Sequence, residues 1–452
     1  MSTANLNRRD FIAASLAAGS GLYLGSSVAS AARPGQKVRV AFVGIGGRGS
    51  GNVRDVHASG LAKFVAFCDL DPSLGAAKKV VQQHPDVPLY GDYRVMLDAV
   101  EDEIDAVVVT TPDHAHFPIA MEAIRRGKHV YCEKPLAHTF REIELLMAAA
   151  AAKGVVTQMG NQGHSGPNYM QAKAWSEAGV FDGIDRVVGH MNKSRRWFPW
   201  GVVSSYPSEP VKEGVDWDLW LMSRPEVPYS RKLHSANWRA WYDFGGGAFG
   251  DWGAHLLDTA HRFLELGFPE RIKTVTLDDA NDPADLIYPL SSTIRMEFPA
   301  RGRRPAVALE WYDGLGNVPE DPKFGNKGPD AVGKVWKDRE RIFKGGSHGS
   351  PLQAKYADGS RVDGLPDYGV YPHTHQTNFL RACLGLEEAH SPFSVGGPLC
   401  QMLILGQLAQ RYGGEFRFDR GTERCVGANA ALANAYLDGP PVRSGWEDYY
   451  RS

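Results

Sequence analysis

At 452 residues the chain is long for a single hydrophobic core and calls for two domains. Its 23% charged and 43% hydrophobic residues, with a formal net charge of −2, are ordinary for a globular protein and exclude the strongly basic surface that holds nucleic acid or anionic membranes. Five cysteines, Cys68, Cys132, Cys383, Cys400 and Cys425, are odd in number and lack metal-ligand spacing. Buried thiols are therefore expected, and no metal.

The chain opens on Asn7-Arg8-Arg9-Asp10-Phe11-Ile12, a Gly/Ala-rich, mildly apolar stretch to about Val28, and then Ala29-Ser30-Ala31. A charged start, an apolar run and an A-x-A site read as a signal peptide over 1–31, and the arginine pair as a twin-arginine (Tat) leader. The expectation is a folded protein passed to the Tat export machinery and found in the periplasm or otherwise outside the cytoplasm. No later stretch is long and apolar enough to span a bilayer.

Lys37–Val43 reads as a strand, followed by Gly44-Ile45-Gly46-Gly47-Arg48-Gly49 and a helix over Ser50–Ser59. This is G-x-G-x-x-G with a strand before it and a helix after it, the setting in which such a loop cradles a pyrophosphate. Lys63–Cys68 is a second strand ending in Asp69, twenty residues after Gly49. A carboxylate there accepts from both ribose hydroxyls and repels a 2′-phosphate, which favours NAD over NADP. Alternation continues with helices over Ser73–His84 and Tyr93–Val100 and a buried strand Ala106–Thr110. A helix over Phe117–Arg126, a strand Val130–Cys132, a helix Phe140–Lys153 and a strand Val155–Met159 complete it. Residues 37–158 thus form a Rossmann domain with a parallel sheet. Two turns at its carboxyl edge carry polar groups: Thr111-Pro112-Asp113-His114-Ala115-His116 and Glu133-Lys134-Pro135. Thr111, His116 and Glu133 are candidates to contact the cofactor, with Arg48 and, after the last strand, Asn161. A lysine at a strand end shielded from water can hold or shuttle a hydroxyl proton. Pro135 fixes the backbone there with a cis or a trans bond.

After Met159 the texture changes, and 159–452 reads as a second α/β domain for substrate and oligomerisation. Ile184–Asn192, Ser291–Phe298 and Val307–Trp311 are expected strands. Thr374–Cys383, Leu399–Arg411 and Ala428–Tyr436 are expected helices. Residues 313–371, rich in Gly, Pro, Lys and Asp, read as a long irregular excursion. Seven tryptophans (Trp197, Trp200, Trp217, Trp220, Trp238, Trp241 and Trp252) cluster before it. Rings of this kind stack on sugar faces or pack a core; Trp238 and its neighbour Arg239 are candidate substrate contacts. The second constellation is Asp243-Phe244-Gly245-Gly246-Gly247-Ala248-Phe249-Gly250-Asp251-Trp252-Gly253-Ala254-His255-Leu256-Leu257-Asp258. A glycine run that brings the backbone close to something releases into a helix on which Asp251, His255 and Asp258 share one face. His255 is a base for an alcohol proton, Asp251 can orient it, steady the imidazolium or bind a substrate hydroxyl, and Asp258 is a further substrate contact.

The glycine loop, the Thr111…His116 turn, Gly127-Lys128-His129-Val130…Glu133-Lys134-Pro135 and Gly245-Gly246-Gly247…Asp251…His255 together resemble the Gfo/Idh/MocA oxidoreductases. The resemblance implies a Rossmann domain followed by an α/β domain on an open, mostly antiparallel sheet, assembled as a homodimer or homotetramer. It implies that Lys134 binds the reacting oxygen and relays its proton, that Glu133 touches the nicotinamide ribose, and that His255 and Asp251 complete the site. The activity so implied is hydride transfer to or from a secondary hydroxyl of a sugar, polyol or glycoside, with NAD, tightly held because free NAD is scarce outside the cytoplasm. Two alternatives remain: a redox glycoside hydrolase resembling the NAD-dependent α-N-acetylgalactosaminidases, which lack the lysine of the Glu-Lys-Pro motif, and a non-catalytic sensor.

Overall fold

The computed structural model describes residues 35–191, 203–234, 237–277, 285–317, 319 and 332–451. The signal peptide expected over 1–31, and Trp197 and Trp200, lie outside the described residues.

Six short apolar strands form the first sheet: β1 (Val38–Val43), β2 (Ala62–Cys68), β3 (Leu89–Tyr90), β4 (Ala106–Val109), β5 (His129–Cys132) and β6 (Thr157–Met159), in the order β3-β2-β1-β4-β5-β6. All pairings are parallel, and the central strands are buried on both faces, as covering helices require. Chain order reverses between β1 and β4, the switch point at which an open parallel sheet leaves a crevice for ligand. The helices expected over Tyr93–Val100 and Phe140–Lys153 occur with those bounds. The second begins with a capping box between Thr139 and Glu142. Fully buried Glu142 also accepts from Arg224 Nη2 and Tyr450 Oη, both at 2.6 Å, fastening the Rossmann half to the second half of the chain. Removing one partner of such a buried ion pair destabilises a fold by about 3–5 kcal/mol.

The second sheet has nine strands, including β7 (Arg186–Met191), β8 (Arg271–Leu277), β9 (Ser292–Phe298) and β10 (Val307–Asp313). Among the described residues, β7 with β10 is its one parallel pair; the remaining pairs are antiparallel. The described part of 313–371 is not one irregular excursion. It contains β11 (Val332–Lys337), β12 (Arg341–Gly345) and β13 (Gln353–Tyr356), which extend the sheet from β7. Each buries few apolar side chains (Val335 and Trp336, Phe343, Ala354), so alternation is too brief to stand out against the surrounding Gly and Lys. The last strands, β14 (Glu415–Asp419) and β15 (Arg424–Val426), close the other edge.

A helix over Phe393–Tyr412 packs against both Phe140–Lys153 and Gly247–Leu256 and carries one continuous core from sheet to sheet. It starts six residues before the expected Leu399, with Pro398 inside it. A Cβ on Gly396 or Gly397 would meet Met159 or Met147 at 2.8 or 2.5 Å. Close packing against the Rossmann half thus sustains a turn that proline propensity argues against. All five cysteines are free thiols, and Cys68 and Cys132 are buried in β2 and β5.

Candidate active site

The carboxyl ends of β1, β4 and β5 open into a cavity of about 830 Å³ whose far wall comes from the second half of the chain. At its Rossmann end Gly44, Gly46, Gly47 and Arg48 form the floor. Gly44 has φ +82°, and a Cβ on it would stand 2.3 Å from the Thr110 carbonyl oxygen. Gly49 does not reach the cavity; a Cβ there would come within 2.1 Å of Gly44 O, so it lets the helix Gly47–Ala58 pack on the strand behind it. That helix has no side-chain N-cap and no acidic residue in its first turn, leaving N–H groups and a favourable dipole for an anion. Asp69 lines the cavity and accepts from the backbone N–H of Ile45 (2.9 Å) and Gly46 (3.2 Å), so it also shapes the glycine loop. Thr111 faces the same space, and its Oγ1 is buried without a partner among the described residues. An uncapped helix, a loop with no room for a Cβ at Gly44 and an orphaned hydroxyl fit a dinucleotide.

His116 lines the cavity, yet both ring nitrogens face backbone carbonyls, Nδ1 at 2.7 Å from Pro135 O and Nε2 at 2.8 Å from Thr111 O. It ties the turn after β4 to the turn after β5 rather than offering a hydrogen bond to a cofactor. Burial pushes it down to about 4. Glu133 Oε1 accepts from Arg48 (3.2 Å), Asn52 (3.0 Å) and Gln162 (2.9 Å). The expected cofactor contact Asn161 is fully buried behind the wall, where its Nδ2 donates to Asp258 at 3.1 Å; Gln162 beside it lines the cavity instead.

At the other end stands Lys134, joined to Pro135 by a cis bond. Its Nζ donates to Asp251 Oδ1 at 2.5 Å and to the Asp251 carbonyl at 2.9 Å. Two of the three ammonium hydrogens are thereby assigned, and the third is left for a ligand. Arg239 Nε lies 3.7 Å from the same carboxylate. Asp251 therefore orients Lys134, not His255 as expected. His255 lines the cavity, and its Nδ1 is buried with no partner among the described residues. Burial, with Lys134 and His348 beside it, holds its pKa well below the ordinary imidazole value, so the ring is a neutral base near pH 7.

Asp258 is not on that face. The helix ends at Leu256, and a separate helix, Asp258–Phe263, begins after Leu257. Asp258 is buried and bonded to Asn161 and His164, and is no substrate contact. The glycine run does press close to something, but to its own chain: a Cβ on Gly245 would stand 2.5 Å from Arg239 Cα. Trp238 and Arg239 both reach the cavity, with the guanidinium lying 4.1 Å over the indole. Trp217 and Trp220 stack on each other at 4.4 Å, and Trp241 is fully buried. These rings are core and wall rather than open sugar platforms.

Asp113, His348 and Gln376 are among the cavity residues outside the expected set. Asp113 is enclosed, and burial pushes it up to about 7 against the pull of Arg239 and Lys134. His348 stacks on His255 with ring centroids 4.0 Å apart. Gln376, from the helix His375–Cys383, donates to Asn52 at 2.8 Å. Asp113 could have been suspected from its place at a strand end; His348, 93 positions from His255 in a glycine-rich loop, carried no signal.

Residues 38–161 match the family described as "Oxidoreductase family, NAD-binding Rossmann fold", and residues 178–287 match its "C-terminal alpha/beta domain". Among curated proteins, "Glycosyl hydrolase family 109 protein 2" of Shewanella sp. (strain ANA-3) is 39% identical over 114 residues, 24% of this chain and 25% of that protein. "Inositol 2-dehydrogenase 1" of Saccharopolyspora erythraea is 36% identical over 150 residues, 31% of this chain and 42% of that protein. The matched segment thus spans less than half the length of either relative. In fold, the chain resembles the aldose-aldose oxidoreductase from Caulobacter crescentus complexed with glycerol, with a TM-score of 0.59, 16% identity and coverage of 85% of this chain and 100% of that one. By both of its domains, the chain belongs to the Gfo/Idh/MocA oxidoreductase family.

Proposed function

We propose that this protein interconverts a secondary hydroxyl and a ketone on a sugar, polyol or glycoside, using nicotinamide. The observation that carries the reading is a Lys134 ammonium held by Asp251 beside a neutral His255, in one cavity with the glycine loop. When bound, the nicotinamide supplies the hydride acceptor or donor. In the oxidative direction, the remaining Lys134 N–H donates to the substrate oxygen and stabilises the alkoxide as it forms. His255 takes the hydroxyl proton while the carbinol C–H leaves as hydride, and a C=O bond remains. Asp251 keeps the ammonium aimed, and Glu133, fixed by three donors, fits a ribose hydroxyl. Asp69 favours NAD over NADP. The leader supports export by the Tat route, and a tightly held cofactor, reduced by one substrate and reoxidised by another, suits a compartment poor in free NAD. Membership of the family supports a homo-oligomer.

Single-turnover absorbance of the nicotinamide, with free sugars, polyols and intact glycosides, tests this. A reduced-cofactor signal with a keto product, lost in Lys134→Ala and His255→Ala, is the expected result. A second reading, redox hydrolysis of a glycoside, has the family 109 relatives in its favour. Glycoside cleavage with no net reduction of the cofactor would establish it, and no signal with any compound despite bound nucleotide would leave a sensor.

A further inference from the structure

His348 sits in the turn between β12 and β13 at φ +52°, a left-handed conformation that a side chain of this size rarely adopts. The turn is pinned: Asn168 N–H donates to Gly349 O at 3.0 Å, and a Cβ on Gly166 would stand 3.0 Å from Gly349 Cα. What this conformation achieves is a ring stacked on His255, with centroids 4.0 Å apart and planes 30° apart. The edge of Trp252 closes on both rings, at 5.9 Å from His255 and 5.6 Å from His348. Both imidazoles line the cavity. The charged groups that bear on them come from four elements: Lys134 from the turn after β5, Asp251 from the helix Gly247–Leu256, Arg48 from the glycine loop and Lys334 from β11. Three of these four are cations, and Asp251 is already paired with Lys134.

Resting on the hydride-transfer reading, we propose that His348 is a positioning residue: stacked on His255, it restricts the two imidazoles to a single proton and so preserves His255 as a base. Two imidazolium rings at 4.0 Å in a site already lined by cations repel strongly, so the second proton binds only at much lower pH. His348 is the more open of the two, with Nδ1 beside Ser347 Oγ at 3.0 Å, and takes the first. Protonation on the acid side thus falls on His348, and His255 remains free to accept from substrate.

The test is His348→Phe, which keeps a stacked ring and removes the charge. The protonation of His255 is read by its rate of carbethoxylation with diethylpyrocarbonate across pH, located by peptide mass spectrometry, which needs no turnover. The expected result is an upward shift of about one pH unit in the His255 profile, with the acid limb of hydride transfer moving by the same amount. His348→Gln, with its melting temperature, serves if phenylalanine disturbs the turn. A shift in the chemical profile without turnover on any substrate would uphold the pair and defeat the hydride-transfer reading. An unmoved His255 profile in folded His348→Phe and His348→Gln would overturn the inference whatever the activity.

Discussion

The two ends of the cavity are built by different means. The nucleotide end is contiguous: glycine loop, strand ends and turns lie within residues 43–135, placed by one parallel sheet. The substrate end is assembled from distant pieces, Lys134 with Asp251 and His255 with His348. The first kind of site rests mainly on one sheet, with a few later residues such as Gln162 and Gln376 added to it, whereas the second depends on how the two sheets are held together.

The largest effect that would separate the two ends is loss of Lys134. In Lys134→Ala hydride transfer should fall by about 10³-fold, in the range of removing a donor to a developing oxyanion, with nucleotide affinity changed by no more than a few-fold. Single-turnover absorbance and a nucleotide titration measure the two separately. A parallel loss of both would break the comparison.

Gly49→Ala should act in the opposite sense. Its Cβ would press on Gly44 O at 2.1 Å, and backbone cannot yield there without displacing the loop. Overpacking of this kind costs about 1–3 kcal/mol, to be read as lower melting temperature and weaker nucleotide binding. The Lys134–Asp251 pair, at the other end of the cavity, should persist.

That asymmetry also governs what could be read from sequence. The strand–helix alternation to Met159 was legible because local periodicity and caps set it; the helices Tyr93–Val100 and Phe140–Lys153 were read to the residue. Lys134, His255 and Asp251 were legible as candidates because motif spacing marks them. Their pairing was not, because it depends on a contact across 117 positions. Asp258 was misplaced because a seven-residue period cannot register the break at Leu257, which no proline or glycine announces. His348 and β11–β13 were missed together: the strands are short and rich in lysine and glycine, and the histidine matters only through its tertiary neighbour.

Asp113 sits where the two ends meet, and its titration sharpens the boundary. Burial raises its carboxyl from 3.8 to about 7. Between those values the unfolded chain has released the proton and the folded chain retains it, so stability declines as pH rises through the window. The decline from pH 5 to 7 should be about 2 kcal/mol. Asp113→Asn removes it, so the melting temperature of the variant should gain on that of the parent as pH rises. A constant difference would mean that Asp113 is solvated in both states.

The smallest expected effect lies where the second half of the chain reaches back over the nucleotide end. Lys212 Nζ donates to Asp71 Oδ2 at 2.5 Å, and His234 Nε2 lies 3.7 Å from the same oxygen. Burial would raise the Asp71 pKa, but bonds from Lys212 and Ser73 bring it below the ordinary carboxylate value. The Lys212 side chain is 38% exposed, so the pair itself is worth less than about 1 kcal/mol. Its consequence is for selectivity. On the proposed NAD preference, with the Asp71 charge paired to Lys212, Asp69 is left to reject a 2′-phosphate; Lys212→Ala unmasks a second carboxylate at that edge and removes a cation. Discrimination for NAD over NADP should rise by about two- to five-fold, less at high salt, measured as the ratio of dissociation constants. An unchanged ratio would place Lys212 away from the ribose and leave the nucleotide end entirely to the Rossmann half.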